Sequence, residues 1–327
     1  MTMDANELLE PFAKMLEGLA TPAAIRAVEQ GGPADTMWSE IVESGFLDAL
    51  VSEDHGGAGL SLEDTYSLIE AVGRFAVPLP VAETMVARAL LAEAGIEAPE
   101  GPIALATSGA NPSAVVSCGL VSEHVLVDDG ETLRLVRARD CAPQPTGVEA
   151  SIAARFDFAS ASGPALPRPE GGLRRISAVV RAALMSGAGN ELLDRTTTYA
   201  NERVQFGKPI GRQQALQQNL AVMAEDVVAT RLAASLGCAS GFEPSLAAAA
   251  TAKSVASAAA PRIAATAHAV HGAIGVSEEH DLQLYTRRLH EWRLADGSES
   301  YWNAELGRAR LAGDVSSVDW VRAEVFA

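Results

Sequence analysis

Apolar residues recur at three- and four-residue steps through both ends of the chain and run together in short β-type stretches only between them. Toward the N-terminus, Glu7 to Leu19 is amphipathic, Met37 to Val51 forms a second element and Leu62 to Val72 a third, so residues 1–95 read as helical. From Gly101 to Ser160 the texture changes. Short runs at Ile103 to Ala106, Ala114 to Val116, His124 to Val127 and Thr132 to Val136 are separated by turn formers such as Ser108-Gly109-Ala110-Asn111-Pro112 and Asp128-Asp129-Gly130. Beyond Gly171 the helical period returns over 174–203, 212–236, 245–270 with Pro261 as a kink, and 279–311. The pattern predicts a mainly α protein with a small β domain: helical residues 1–99, β residues 100–168 and a helical bundle over 169–327.

One join between two long helices carries unusual cargo. Leu216, Leu220, Met223, Val227 and Ala234 mark one face of the helix that follows it, and Gly207 and Pro209 punctuate the turn. Arg203 ends one helix, Phe206 follows, and Gln214 opens the next. A guanidinium forks onto a phosphate, an aromatic ring packs on a flat heterocycle, and a helix N-terminus offers free N–H donors to an anion, a combination that suits a dinucleotide. The same residues also suit a helix-terminal arginine complementing the dipole and a phenylalanine plugging the core.

The stretch Arg203-Val204-Gln205-Phe206-Gly207-Lys208-Pro209-Ile210, with Gln214 after it, resembles the flavin-contacting signature of the acyl-CoA dehydrogenase family. The resemblance implies that Arg203, Gln205, Phe206 and Gln214 reach across a subunit interface to the FAD of a neighbouring protomer. It extends to the loop Asp54-His55-Gly56-Gly57-Ala58-Gly59-Leu60-Ser61 with Gly73-Arg74, and to His271-Gly272-Ala273-Ile274-Gly275 with Glu279 to Arg288. Gly272 and Gly275 would let backbone N–H groups approach the cofactor, or simply end a helix. Ala269 and Ala273 depart from the family's Gln and Gly, and the family's flavin-ring loop finds no match, which implies a shortened middle β domain before a C-terminal four-helix bundle.

In this family a carboxylate removes the α-proton of an acyl-CoA while the β-hydrogen leaves as hydride to the flavin. The position implied for that base is Asp296, in Ala295-Asp296-Gly297-Ser298, and Asp shortens the usual Glu arm by about 1.5 Å where reach of about 2.6–3.2 Å matters. A turn carboxylate is the plainer reading of Asp296. In another branch the base stands on the first bundle helix, here Ser177, which has no basicity of its own. This set of departures resembles the short subunit of the α2β2 acyl-CoA dehydrogenases of actinobacterial steroid side-chain degradation, and implies a longer acyl-CoA dehydrogenase-like partner, a heterotetramer and an acyl-CoA substrate, with the base on the partner. A scaffold subunit without flavin, a homomeric dehydrogenase using Asp296, and a flavin monooxygenase on the same fold remain alternatives.

Composition narrows the classes further. A net charge of −17 argues against nucleic acid or an anionic membrane as partner, since both require a concentrated basic surface. No stretch is long, apolar and charge-free enough to span a membrane, because Lys253, Pro261 and Arg262 interrupt the alanine-rich run from Leu246 to Val270. With no basic-then-apolar leader and with Cys118, Cys141 and Cys238 scattered as expected of reduced thiols, the sequence reads as cytoplasmic. His55 reads as a solvated loop residue, and His268, His271, His280 and His290 lack metal-ligand spacing.

Overall fold

A computed structural model describes residues 5–109, 111–205 and 207–326, with backbone alone for 5–7. Five helices open the chain: α1 (Ala5–Leu19), α2 (Pro22–Glu29), α3 (Asp35–Glu43), α4 (Leu62–Arg74) and α5 (Val81–Glu93). Two of these, α2 and α5, are not delimited in the sequence, α2 being only eight residues long and α5 buried nearly all round. The element expected over Met37 to Val51 stops at Glu43; Gly45 in the left-handed region ends it, and a short 3-10 turn over Phe46–Asp48 follows. Ser61 caps α4 with a reciprocal capping box to Asp64.

The middle of the chain forms two small sheets. Strands β1 (Ile103–Thr107), β3 (His124–Asp128), β4 (Leu133–Arg137) and β7 (Ala165–Leu166) make one, with β1 and β3 parallel and Ile103 opposite His124. Strands β2 (Ser113–Val116), β6 (Ala154–Asp157) and β5 (Gln144–Pro145) make the other, antiparallel throughout. Val116, Val125, Val127, Val136, Phe156 and Phe158 form the core between them.

The bundle begins with α6 (Leu173–Glu202), which the β region anchors directly. Buried Asp128 at the end of β3 accepts from the Leu173 N–H at 2.9 Å and from Arg168 Nε at 2.8 Å, so one carboxylate caps the helix and joins it to the sheet. A ribbon of β8 (Val204–Gln205) and β9 (Lys208–Pro209) leads to α7 (Gln214–Ala239), then α8 (Leu246–His271), which runs through Pro261 as one helix. The single helix expected over 279–311 is two, α9 (Leu282–Leu294) and α10 (Glu299–Leu311), because Asp296 and Gly297 take positive φ values of 58° and 102° between them. The final helix is α11 (Ser317–Glu324).

Helices α4 and α6 cross at glycine. A Cβ on Gly187 would lie 1.9 Å from the Glu70 carbonyl oxygen, and one on Gly73 2.0 Å from that of Leu184. This crossing lets the N-terminal helices and the bundle share one continuous core, in which Leu68, Ile69, Leu184, Ile263 and Trp292 all take part.

Candidate active site

The break between α9 and α10 is the centre of one polar cluster. Arg181, buried on α6, lies 2.8 Å from Glu83 Oε1 on α5 through Nη1 and donates from Nε to Asp296 Oδ2 at 3.2 Å. Burial opposes its charge, but the carboxylates of Glu83 and Asp296 outweigh that and raise its pKa, so the guanidinium stays cationic. Asp296 is therefore the counter-ion of a buried arginine, its Oδ2 engaged by that guanidinium. Lys253, fully buried on α8, holds the same turn: its ammonium donates to Ser257 Oγ, the Arg293 carbonyl and the Gly297 carbonyl, each at 2.9 Å. Ser177 sits one helical turn before Arg181, buried, its hydroxyl without a partner among the described residues.

Two hollows flank this cluster. One of about 600 Å³ lies between α9 and the loop from Thr146 to Ala153, with Val115, Val148 and Leu294 as apolar wall and Asp296 at one end. A more polar one of about 350 Å³ is lined by Thr107, Ser108, Ser113, Arg174, Arg181 and Asp296. The hydroxyls of the β1–β2 turn thus face the cluster, a role its sequence hid because serine, glycine, asparagine and proline are ordinary turn formers. The Glu83–Arg181 pair was equally hidden, its members standing 98 positions apart. Lys253 did leave a signal, as a cation that, with Arg262, interrupts an alanine-rich helix.

The second cluster forms at the other end of α6. Here Arg203 caps the helix, its N–H donating to the Tyr199 carbonyl, and Ile210 N donates back to the Arg203 carbonyl at 2.8 Å. The expected helical hairpin turn is a two-stranded ribbon, Val204 opposite Pro209 and Gln205 opposite Lys208, with Gly207 at φ 76°. Buried Ile210 packs with Ala200 and Val270, which sets the ribbon against the end of α8. There Tyr199 stacks on His271 with centroids 4.4 Å apart. Arg203, Gln205 and Gln214 are exposed, and Gln214 begins a 26-residue helix whose first N–H groups are free. Phe206 lies outside the described residues. Of the two glycines, Gly272 is exposed at φ 62°, whereas Gly275 is buried with space for a Cβ closed by His271 at 2.7 Å.

The structure thus brings the ribbon and the 271–276 turn together but keeps both from Asp296. Arg181 and Tyr199 are eighteen residues apart on α6, about 27 Å along its axis. His55 is exposed and 3.0 Å from Ser52 Oγ, a loop contact remote from either cluster. No group of three or more His, Cys, Asp or Glu arranged for a metal occurs among the described residues, and the three cysteines are buried and unpaired.

Comparison with known proteins places these features. Residues 2–99 match the model of the acyl-CoA dehydrogenase N-terminal domain and residues 175–309 that of the C-terminal domain. The chain is 31% identical to the acyl-CoA dehydrogenase IpdE2 of Mycolicibacterium smegmatis, over 89% of this chain and 93% of that one. Among solved structures, the ChsE4-ChsE5 complex from Mycobacterium tuberculosis superposes with a TM-score of 0.82 at 22% identity, covering 97% of this chain and 99% of that one. The Tcur3481-Tcur3483 steroid ACAD gives 0.81 at 25% identity, covering 94% and 98%.

Proposed function

This chain belongs to the acyl-CoA dehydrogenase family, oxidoreductases whose cofactor is FAD, and from that premise we propose that it works as one subunit of a heteromeric enzyme. The reaction is α,β-desaturation of an acyl-CoA, with a steroid side-chain thioester as the substrate class. A longer acyl-CoA dehydrogenase-like subunit completes a cytoplasmic heterotetramer and carries the flavin-ring contacts and the base.

One observation carries this reading: the cofactor-type residues follow the C-terminal end of α6, whereas the base-type residue pairs with Arg181, about 27 Å along that 30-residue helix from Tyr199 beside the ribbon. A flavin served by Arg203, Gln205 and Gln214 has its ring end beyond the reach of this chain's Asp296, so a second chain supplies the rest of that site. The ribbon end fits an anionic dinucleotide on its own terms. It offers an exposed guanidinium, two exposed amides and the free N–H donors of a long helix. Asp296 in turn is engaged by Arg181, which agrees with a base on the partner. Likeness at 25% identity to a steroid ACAD carrying two chain names supports the same assembly and substrate class.

The chemistry that FAD would supply when bound is acceptance of the β-hydrogen of the acyl group as hydride. This chain's residues would bind and orient it: Arg203 would neutralise phosphate charge and Gln205 and Gln214 would offer amide hydrogen bonds, while Ile210 packs the ribbon on α8 and Tyr199 stacks on His271. Replacing Arg203 by Ala removes the charge-assisted contact, and flavin content of the purified complex is expected to fall about tenfold at limiting FAD, from about 1.5–3 kcal/mol for a hydrogen bond to a charged group. Unchanged flavin absorbance per complex in Arg203→Ala contradicts the assignment.

A further inference from the structure

Helix α7 is apolar on two faces and buries only one. Met223, Val227, Ala234 and Cys238 enter the core, yet Val222, Val228, Leu232 and Leu236 are 53, 45, 57 and 39% exposed. A helix apolar all round belongs in an interior, and contiguous exposed apolar side chains mark a protein contact.

The exposed face is one stripe. Gln214, Gln218, Val222, Glu225, Leu232 and Leu236 follow one another at steps of three, four or seven residues and so share one side of the helix. The stripe begins at the amide that is assigned above to the partner's cofactor, so a chain holding that cofactor already lies at its upper end. Val204, Ile274 and Val276 are exposed at the same end, beside the ribbon. The 26 residues of α7 run about 39 Å, and a strip about 10 Å wide gives about 400 Å², half of one side of a standard interface, to which the ribbon end adds.

Glu225 bears on which chain lies there. It is exposed, stands twelfth of the 26 residues and is the one charge of the stripe. Asp226 is turned aside to Arg262 of α8, and Arg231, the one cation of α7, stands about 120° round the helix. A second copy packed on this stripe about a two-fold axis near its middle would set Glu225 against its own counterpart, with a charge of −17 on each chain. A different chain with Lys or Arg at that point pairs with it instead.

We infer that the exposed stripe of α7 is the docking surface for the longer acyl-CoA dehydrogenase-like subunit, and that Glu225 selects that subunit over a second copy of this chain by meeting a cation on it. The inference rests on this chain working in a heteromeric enzyme and gives the surface through which it does so.

Sedimentation velocity of the full chain, alone and co-expressed with the longer subunit, tests both parts. Alone, the wild type should stay monomeric at concentrations where Glu225→Leu, whose stripe is apolar through its middle, dimerises; adding Leu232→Asp to that variant should return it to monomer. In the complex, Leu232→Asp should raise the Kd between subunits at least about thirtyfold, from the loss of one buried leucine. Because Leu232 is exposed in the lone chain, the fold tolerates that change. Glu225→Lys should stay monomeric alone and weaken the complex about tenfold. A wild-type chain that dimerises alone and loses its dimer in Leu232→Asp overturns the inference, and a monomeric Glu225→Leu takes the selecting role from Glu225. A Leu232→Asp complex of undiminished affinity and flavin content overturns the docking surface while leaving the heteromeric function standing. Failure of the wild-type chains to associate at all overturns both.

Discussion

Lys253 shows how one side chain governs the geometry around Asp296. Its three bonds, to Ser257 Oγ and to the carbonyls of Arg293 and Gly297, span the break between α9 and α10 and keep Asp296 at its positive φ beside Arg181. Burial lowers the Lys253 pKa to about 7 from 10.5, opposed by the charge of Asp296. The folded state therefore releases this proton near pH 7, while the unfolded chain keeps it until about 10.5. Between those values the unfolded state binds more protons, so this group makes stability rise with pH across the window; below it the charge is present in both states and its contribution is flat. Urea denaturation of wild type and Lys253→Met from pH 6 to 10 should show that slope in the wild type and its loss in the variant. Equal slopes would mean that Lys253 titrates as an exposed lysine does. At this scale the sequence offered Lys253, Asp296 and Arg203 as conspicuous single residues. It could not offer Arg181 with Glu83, because nothing in a local window distinguishes an arginine that meets a carboxylate from another helix.

Between elements, the crossing of α4 and α6 is what sets α6 in place, and both clusters are mounted on α6. With Gly187 Cβ-space closed at 1.9 Å by the Glu70 carbonyl, an alanine there must push two helices apart. Gly187→Ala is expected to cost about 3 kcal/mol of stability. Gly18 in α1, where an added methyl would meet nothing within 4 Å, is the contrasting site, and alanine there should gain up to about 1 kcal/mol. Chemical denaturation of the two variants checks the pair, and a tolerated Gly187→Ala would show that the crossing is looser than described. Helices α1 and α4, with a clear apolar stripe, were legible, and α6, α7 and α8 appear where long runs of helix formers put them. Two kinds of element were not. Helix α5 is buried on nearly all sides, so it has no stripe to read, and the 295–298 break lies in a stretch whose flanks keep a helical pattern, although Asp296-Gly297 is itself a turn signal.

For the whole molecule, the division of labour along α6 is the central point. A mainly helical chain with a short double-sheet middle carries one cluster suited to a dinucleotide's anionic part and another in which Arg181 pairs with Glu83 and Asp296 while Lys253 is held by Ser257 and two backbone carbonyls. Among the described residues no helix is long and apolar enough to cross a membrane. The cargo of the turn was conspicuous because Arg203, Gln205, Gly207, Ile210 and Gln214 occur within one short stretch, but its folding as a two-stranded ribbon was not read from them. Its separation from Asp296 was not, since helix length turns into distance only once both clusters are placed on the same helix. On the proposed reading, a second chain completes the flavin site. The most direct measurement is the visible absorption spectrum of this chain purified alone and again after co-expression with a longer acyl-CoA dehydrogenase-like chain. The account predicts an oxidised-flavin band in the co-purified complex and none in the chain alone; stoichiometric FAD on the lone chain would contradict it.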